Sequence, residues 1–190
     1  MPEELHPVVR RILLARGVAE ESELDLGLAK LQPPDSLGGL DKAVEILVRA
    51  ITIDQSILIV GDFDADGATG TALAVRALSA MGAQQVSFRV PNRFEFGYGL
   101  TEALVGTLEA EPPDVLVTVD SGIACNAGVA KARGLGCSVV VTDHHLPGEQ
   151  LPDADAIVNP NVPGDDFPSK ALAGVGVMFY LLSGVRSALR

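Results

Sequence analysis

The sequence holds 190 residues, nearly half of them apolar, which suffices for one buried core and excludes a disordered chain. A formal net charge of -11, from 14 basic and 25 acidic side chains, argues against a broad phosphate-neutralising surface within this segment. No apolar run reaches the roughly 20 residues of a membrane helix and MPEELHPVVRR lacks the apolar core of a signal peptide, so a cytoplasmic protein without a membrane partner is expected. Cys125 and Cys137 stand apart, without CxxC or metal spacing, as small buried residues of a reducing compartment.

Residues 5 to 16, LHPVVRRILLAR, have helical apolar spacing and stop at Gly17; AEESELDLGLAKLQPP then reads as a short helix and a proline-terminated connector. Asp41 is the expected N-cap of a helix through KAVEILVRAITID, whose Val44, Leu47, Val48 and Ile51 share one face. Together these make a helical N-terminal lead-in over residues 1–55. From Ile57 onward the apolar runs ILIV (57–60), VSFRV (86–90), VLVTV (115–119), SVVVT (138–142) and AIVN (156–159) alternate with the helical stretches TGTALAVRALSAMG, LTEALVGTLEAE and NAGVAKARGLG. Runs apolar on both faces, separated by helices ending near glycine, predict an α/β fold over residues 56–190. The expected architecture is a doubly wound, mostly parallel five-stranded sheet with helices on both faces. Ligands in such folds gather at the carboxyl ends of the strands.

Three of those ends carry ligand-type side chains. GDFDADGATG (61–70) offers Asp62, Asp64, Asp66 and Gly67, matching positions 1, 3, 5 and 6 of a calcium loop, but the bidentate Glu due at position 12 is Leu73 and the preceding ILIV reads as a strand. If the loop stays extended, side chains two apart converge, with Gly67 permitting a tight turn into a helix beginning near Thr69. VTVDSG brings Asp120 and VVVTDHH brings Asp143, His144 and His145 to the same edge. Taken singly, a strand-end aspartate is more often a turn or helix cap. So many carboxylates in one crevice would repel or protonate unless cations occupied it. Hard oxygens with imidazoles and no thiolate suit a pair of divalent cations, Mn²⁺ or Mg²⁺, and the chemistry implied is phosphoester hydrolysis. Arg93 in PNRFEFGYG is either a contact for a substrate phosphate or a surface arginine, and Phe94, Phe96 and Tyr98 read as core packing before base stacking.

DFDADG, VDSG and Asp143-His144-His145 resemble the three motifs of the DHH phosphoesterase superfamily, and within it the RecJ family of single-strand exonucleases. The likeness is collinear through HPVVRRILLARGV, LDKAVEILVRAI, PNRFEFGYGLT, TVDSGI, VVVTDHHLPG, AIVNPN and LAGVGV. It implies Asp62, Asp64 and Asp120 on one metal and Asp66, Asp120 and His144 on the other, with Asp120 as bridge. His145 would stand beside the scissile phosphate, Asp143 would orient the imidazoles, and metal-held water rather than a side chain would be the nucleophile.

The activity implied is 5′-to-3′ exonuclease action on single-stranded DNA in recombination and repair, with replication or repair proteins as further partners. The alternatives are a small-substrate hydrolase of the same superfamily and a non-catalytic scaffold. The family pattern also has a further ligand aspartate beyond Arg190, for which Asp153, Asp155, Asp165 and Asp166 are weak substitutes. The chain is therefore expected to be a C-terminally incomplete domain with weak turnover by itself, its final apolar helix left without a packing partner.

Overall fold

The computed structural model describes residues 5–25 and 27–190, so the first four residues of the opening segment and Leu26 of the lead-in lie outside it. Two compact units are present, Met1–Pro33 and Pro34–Arg190. In the first, helix α1 (Pro7–Ala15) starts with proline at its first turn, where no N–H is needed, and His6 accepts the Val8 N–H. The AEESELDLGLAKLQPP stretch holds two 3₁₀ turns, Glu21–Leu24 and Leu28–Lys30, in place of one short helix.

The second unit runs α2 (Leu40–Thr52), β1 (Ile57–Gly61), α3 (Ala65–Ala80), β2 (Val86–Arg89), α4 (Arg93–Phe96), α5 (Glu102–Gly106), β3 (Val115–Val119), α6 (Asn126–Gly134), β4 (Ser138–Thr142), β5 (Ala156–Val158) and α7 (Gly174–Ala188). Strand order is β2-β1-β3-β4-β5, and every pairing is parallel. Side-chain alternation divides the core into two layers. Ile57, Ile59, Val115, Val117, Val119 and Val140 face a layer shared with α2, α3 and α7, while Leu58, Val60, Leu116, Val139 and Val141 face one shared with α5 and α6. The chain leaves β1 toward β2 and returns to β3 on its other side, which opens a crevice between the carboxyl ends of β1 and β3.

Three expectations need correction. Gly39, not Asp41, caps α2: it adopts φ 72°, and a Cβ there would lie 2.0 Å from the Ile157 carbonyl oxygen. The helix in LTEALVGTLEAE ends at Gly106, where the Thr107 hydroxyl donates back to Leu104 O at 2.7 Å. Helix α7 has packing partners, since Val177, Met178, Leu181 and Val185 are buried in the layer that α2 and α3 also line. β2 is an edge strand with Phe88 exposed, and it is less buried than the other edge strand, β5.

Asp114 ties the starts of β1 and β3 together by accepting the Ser56 N–H and hydroxyl, both at 2.8 Å. Those bonds hold its pKa below the usual carboxylate value. Asp114→Ala is expected to cost about 0.5–1 kcal/mol at neutral pH, small because the pair is exposed. Because the folded pKa is depressed, this contribution is complete above the unfolded pKa and fades as acid protonates the folded carboxylate. Urea unfolding of both proteins at neutral and acid pH checks it.

Candidate metal centre

Asp62 follows β1 directly and is 3% exposed. Its Oδ1 accepts the Phe63 N–H at 2.8 Å, and its carboxylate takes Arg93 Nη2 at 2.8 and 3.1 Å. Asp64 is the N-cap of α3, with Oδ1 accepting the Asp66 and Gly67 N–H groups at 3.1 and 3.0 Å. The Gly67 bond is the leading cause of its lowered pKa. The helix thus begins at Ala65 rather than near Thr69, and the loop is not extended through Asp66. Gly67 lies inside α3, where a Cβ would stand 2.6 Å from the Asp62 carbonyl oxygen, so glycine is needed there for close approach and not for a turn.

Asp66 points from α3 to the start of α7. Its Oδ2 and Oδ1 accept the Gly174 and Val175 N–H groups, each at 2.7 Å. A carboxylate on the unpaired donors of a helix N-terminus is favoured by both hydrogen bonding and the helix dipole. The glycine pair in LAGVGV was the sequence signal for this contact, and its role was missed: a Cβ at Gly174 would lie 2.7 Å from Asp120 Oδ1.

Asp120 ends β3, 1% exposed and at φ 60°, a left-handed conformation sparsely populated by residues other than glycine. Its Oδ1 is buried and makes no hydrogen bond to any described residue, although His144 Nε2 stands 3.0 Å away. Burial, then the charges of Asp66 and Asp64, push its pKa up to about 7 against the opposing pull of His144 and His145.

Asp143, also 1% exposed, anchors the imidazole pair. Its Oδ2 accepts the Ile123 N–H at 2.9 Å; Oδ1 accepts the backbone N–H groups of His144 and His145 and lies 2.7 Å from His145 Nδ1. Burial lowers the His145 pKa, but the Asp143 hydrogen bond and charge, with Asp120 and Asp62, outweigh it and leave a net rise. Ligand atoms of Asp62, Asp64 and Asp120 lie within 4.8 Å of one another, as do those of Asp120, His144 and His145, so Asp120 belongs to both sets. Asp66 is in neither set, though its Oδ2 is 3.8 Å from His144 Nε2. The donors are hard oxygens and imidazoles, and the unsatisfied Asp120 oxygen is the atom that a divalent cation would satisfy.

Two asparagines in AIVNPN support this edge and were not singled out in the sequence. Asn159 Nδ2 donates to the His145 carbonyl at 2.9 Å, and Asn161 Nδ2 to the His144 carbonyl at 2.5 Å. Asn159 is buried and also accepts the Asn161 N–H. Asn159→Ala should cost about 0.5–1.5 kcal/mol, because it removes hydrogen bonds to two part-buried backbone groups, and should weaken Mn²⁺ binding through the His145 backbone. Thermal unfolding with chelator and an Mn²⁺ titration read the two effects separately.

The four weak candidates are engaged elsewhere or exposed. Asp153 and Asp155 pair with Arg133, Asp165 accepts the Gly38 and Phe167 N–H groups, and Asp166 is exposed. Phe96 packs in the core, whereas Phe94 is fully exposed and Tyr98 meets His145 edge to face.

A crevice of carboxylates and imidazoles at the switch point of a doubly wound parallel sheet is an arrangement suited to hard divalent cations. The chain belongs to the DHH family: the model of the DHH family, N-terminal domain, matches residues 56–189. Over 190 residues it is 51% identical to the single-stranded-DNA-specific exonuclease RecJ of Salmonella typhimurium, covering 100% of this chain and 33% of that protein. It is 40% identical to the Bacillus subtilis RecJ over 187 residues, 95% of this chain and 24% of the relative. Among solved structures, exonuclease RecJ bound to manganese superposes with a TM-score of 0.74 at 38% identity, over 80% of this chain and 38% of the other. RecJ of Thermus thermophilus in complex with Mn²⁺ gives 0.72 at 35% identity, over 93% and 24%. The chain spans about a third of the length of the Salmonella relative.

Proposed function

We propose that this chain is the catalytic N-terminal part of a RecJ-type exonuclease that hydrolyses phosphodiesters of single-stranded DNA from the 5′ end in recombination and repair. The observation that carries it is Asp120: one buried carboxylate, with an unsatisfied oxygen, belongs at once to an all-carboxylate set and to a carboxylate–imidazole set. The identity to RecJ relatives and the Mn²⁺- and Mg²⁺-bound RecJ structures support the same reading. Residues 56–190 would form the phosphoesterase domain and residues 1–55 its lead-in, working in the cytoplasm beside replication or repair proteins. Among the described residues no helix is long and apolar enough to cross a membrane.

Asp62, Asp64 and Asp120 would hold one Mn²⁺ or Mg²⁺, and Asp120 and His144, with Asp66 adjoining, a second. Bound there, such a pair supplies water activation and polarisation of a phosphoryl oxygen. The protein's own part is positioning. Asp143 accepts from His145 Nδ1–H and favours the protonated ring, in which Nε2–H is free to donate to a phosphate oxygen. Asp66 fixes α7 against the cluster through two backbone N–H groups.

A length series of 5′-phosphorylated single-stranded oligonucleotides, incubated with Mn²⁺ and the full-length exonuclease of which this chain would be the N-terminal part, tests the proposal. Stepwise release of mononucleotides from the 5′ end of long strands is expected, abolished by chelator. Cleavage confined to dinucleotides would replace it with a small-substrate hydrolase.

A further inference from the structure

His144 is pinned through its backbone from both sides. Its N–H donates to Asp143 Oδ1 at 2.7 Å, and its carbonyl accepts Asn161 Nδ2 at 2.5 Å. The same Asn161 nitrogen also donates to the Lys170 carbonyl at 3.2 Å, so a single amide joins the turn that carries His144 to the stretch entering α7. Lys170 closes the connection from its own side, with Nζ donating to the Pro160 and Asp165 carbonyls at 2.6 and 2.7 Å. Residues 161–169 thus form a loop pinched at its base, whose slack is kept from α7.

The two ends joined in this way carry groups aimed at the same place. Beyond the pinch, the Gly174 and Val175 N–H groups that begin α7 hold Asp66, each at 2.7 Å. Asp66 Oδ2 then stands 3.8 Å from His144 Nε2, and Asp120 Oδ1 stands 3.0 Å from it. Ligands of one Mg²⁺ lie about 2.0–2.1 Å from the ion, so two of them are about 3 Å apart at a right angle and about 4.2 Å apart at most. The Asp120 pair meets the first value. The Asp66 pair sits near the upper limit, so a shift of about half an ångström in either His144 or α7 would take it out of reach. The set of Asp62, Asp64 and Asp120 is placed by other means: the end of β1, the N-cap turn of α3 and the end of β3.

We infer that Asn161 is a positioning residue for the second cation site: its one amide fixes His144 and the entry of α7 together, and thereby sets the gap between His144 and Asp66. The inference rests on the metal-centre reading above. It makes the two cation sites unequal in what they need. The carboxylate set forms with the strands and α3, whereas the imidazole site also requires the pinched loop.

The test follows Mn²⁺ titrations by electron paramagnetic resonance in the full-length exonuclease of which this chain would be the N-terminal part. The parent should take up a pair of ions, give a spin-coupled signal at saturation and show modulation from a bound imidazole nitrogen. Asn161→Ala should bind the first ion with parent-like affinity and the second about 10–100-fold more weakly. It should therefore lack the coupled signal and the nitrogen modulation at the Mn²⁺ concentration that saturates the parent. A second ion bound as in the parent, or both ions weakened alike, would overturn the inference. Lys170→Met opens the pinch but leaves the His144 carbonyl bond, and should weaken the second ion alone by a smaller factor. Parent-like binding by Lys170→Met would show that the link to α7 sets nothing, and the inference is then wrong. Asp165→Ala is the folding control: it removes the braces to Gly38 and Phe167 and keeps the Asp165 carbonyl that Lys170 uses. It should lower the thermal stability without weakening either ion, and a loss matching that of Asn161→Ala would mean that general loosening of the loop is responsible. If the parent itself binds no Mn²⁺, or shows no imidazole nitrogen, the metal-centre reading has failed, and this inference with it.

Discussion

Asp120→Asn is expected to abolish metal binding while making the metal-free protein more stable. Loss of an outer partner of a metal ligand already costs about 10–100-fold in affinity, and loss of a carboxylate common to both sets should exceed the upper end of that range. The stability gain has a separate origin. The folded protein holds a buried carboxylate whose pKa stands near 7, against about 3.9 for an unfolded aspartate. With the folded pKa raised, the penalty is absent below the unfolded value, grows as pH rises between the two, and is complete above the folded one. Asparagine carries no such charge and tolerates the left-handed backbone at this position better than most residues. A gain of about 1–3 kcal/mol at pH 8, vanishing near pH 4, is expected in chelator-treated protein. Denaturant unfolding at both pH values checks it, and a variant less stable than its parent at pH 8 would contradict the electrostatic account of this site.

Gly174→Ala should disturb the metal centre directly. The added Cβ would stand 2.7, 2.8 and 2.9 Å from Oδ1, Cβ and Cγ of Asp120, all of them atoms of a side chain held at the bottom of the crevice. Either α7 backs away, lengthening the Gly174 and Val175 bonds to Asp66, or Asp120 rotates out of both ligand sets. Overpacking of this kind costs about 1–3 kcal/mol, and Mn²⁺ affinity should fall by about 10–100-fold with it. Gly176→Ala is the internal comparison, because its Cβ would meet the Leu172 side chain, which can move aside. Equal Mn²⁺ affinities in the two variants would show that contact between α7 and Asp120 does not shape the centre.

The strands were legible because each is an apolar run with its own punctuation, and ILIV, VLVTV and SVVVT all form buried parallel strands where expected. The convergence of Asp62, Asp64, Asp120 and His144 followed from their positions just past strand ends. What escaped the sequence depended on contacts between distant segments. Gly39 as the α2 cap is decided by the Ile157 backbone, and Gly67 by the Asp62 backbone. The placement of Arg93 on Asp62 joins loops after β1 and β2 that share no sequence pattern. Asp66 was expected to converge with Asp62 and Asp64 from an extended loop, yet a helix starting at Ala65 turns it toward α7.

The bond between Asp66 and Gly174 spans 108 residues of chain. Contacts so far apart in sequence form late, since the intervening loop must be closed before they give any return. During synthesis, α3 and the strands emerge well before α7, so the acidic crevice would exist for a time with Asp66 uncapped and the Asp120 carboxylate lacking the Gly174 backbone beside it. Docking of α7 is therefore the event that finishes the site, and a nascent chain would acquire its cation-holding geometry only after almost all of this segment has been made.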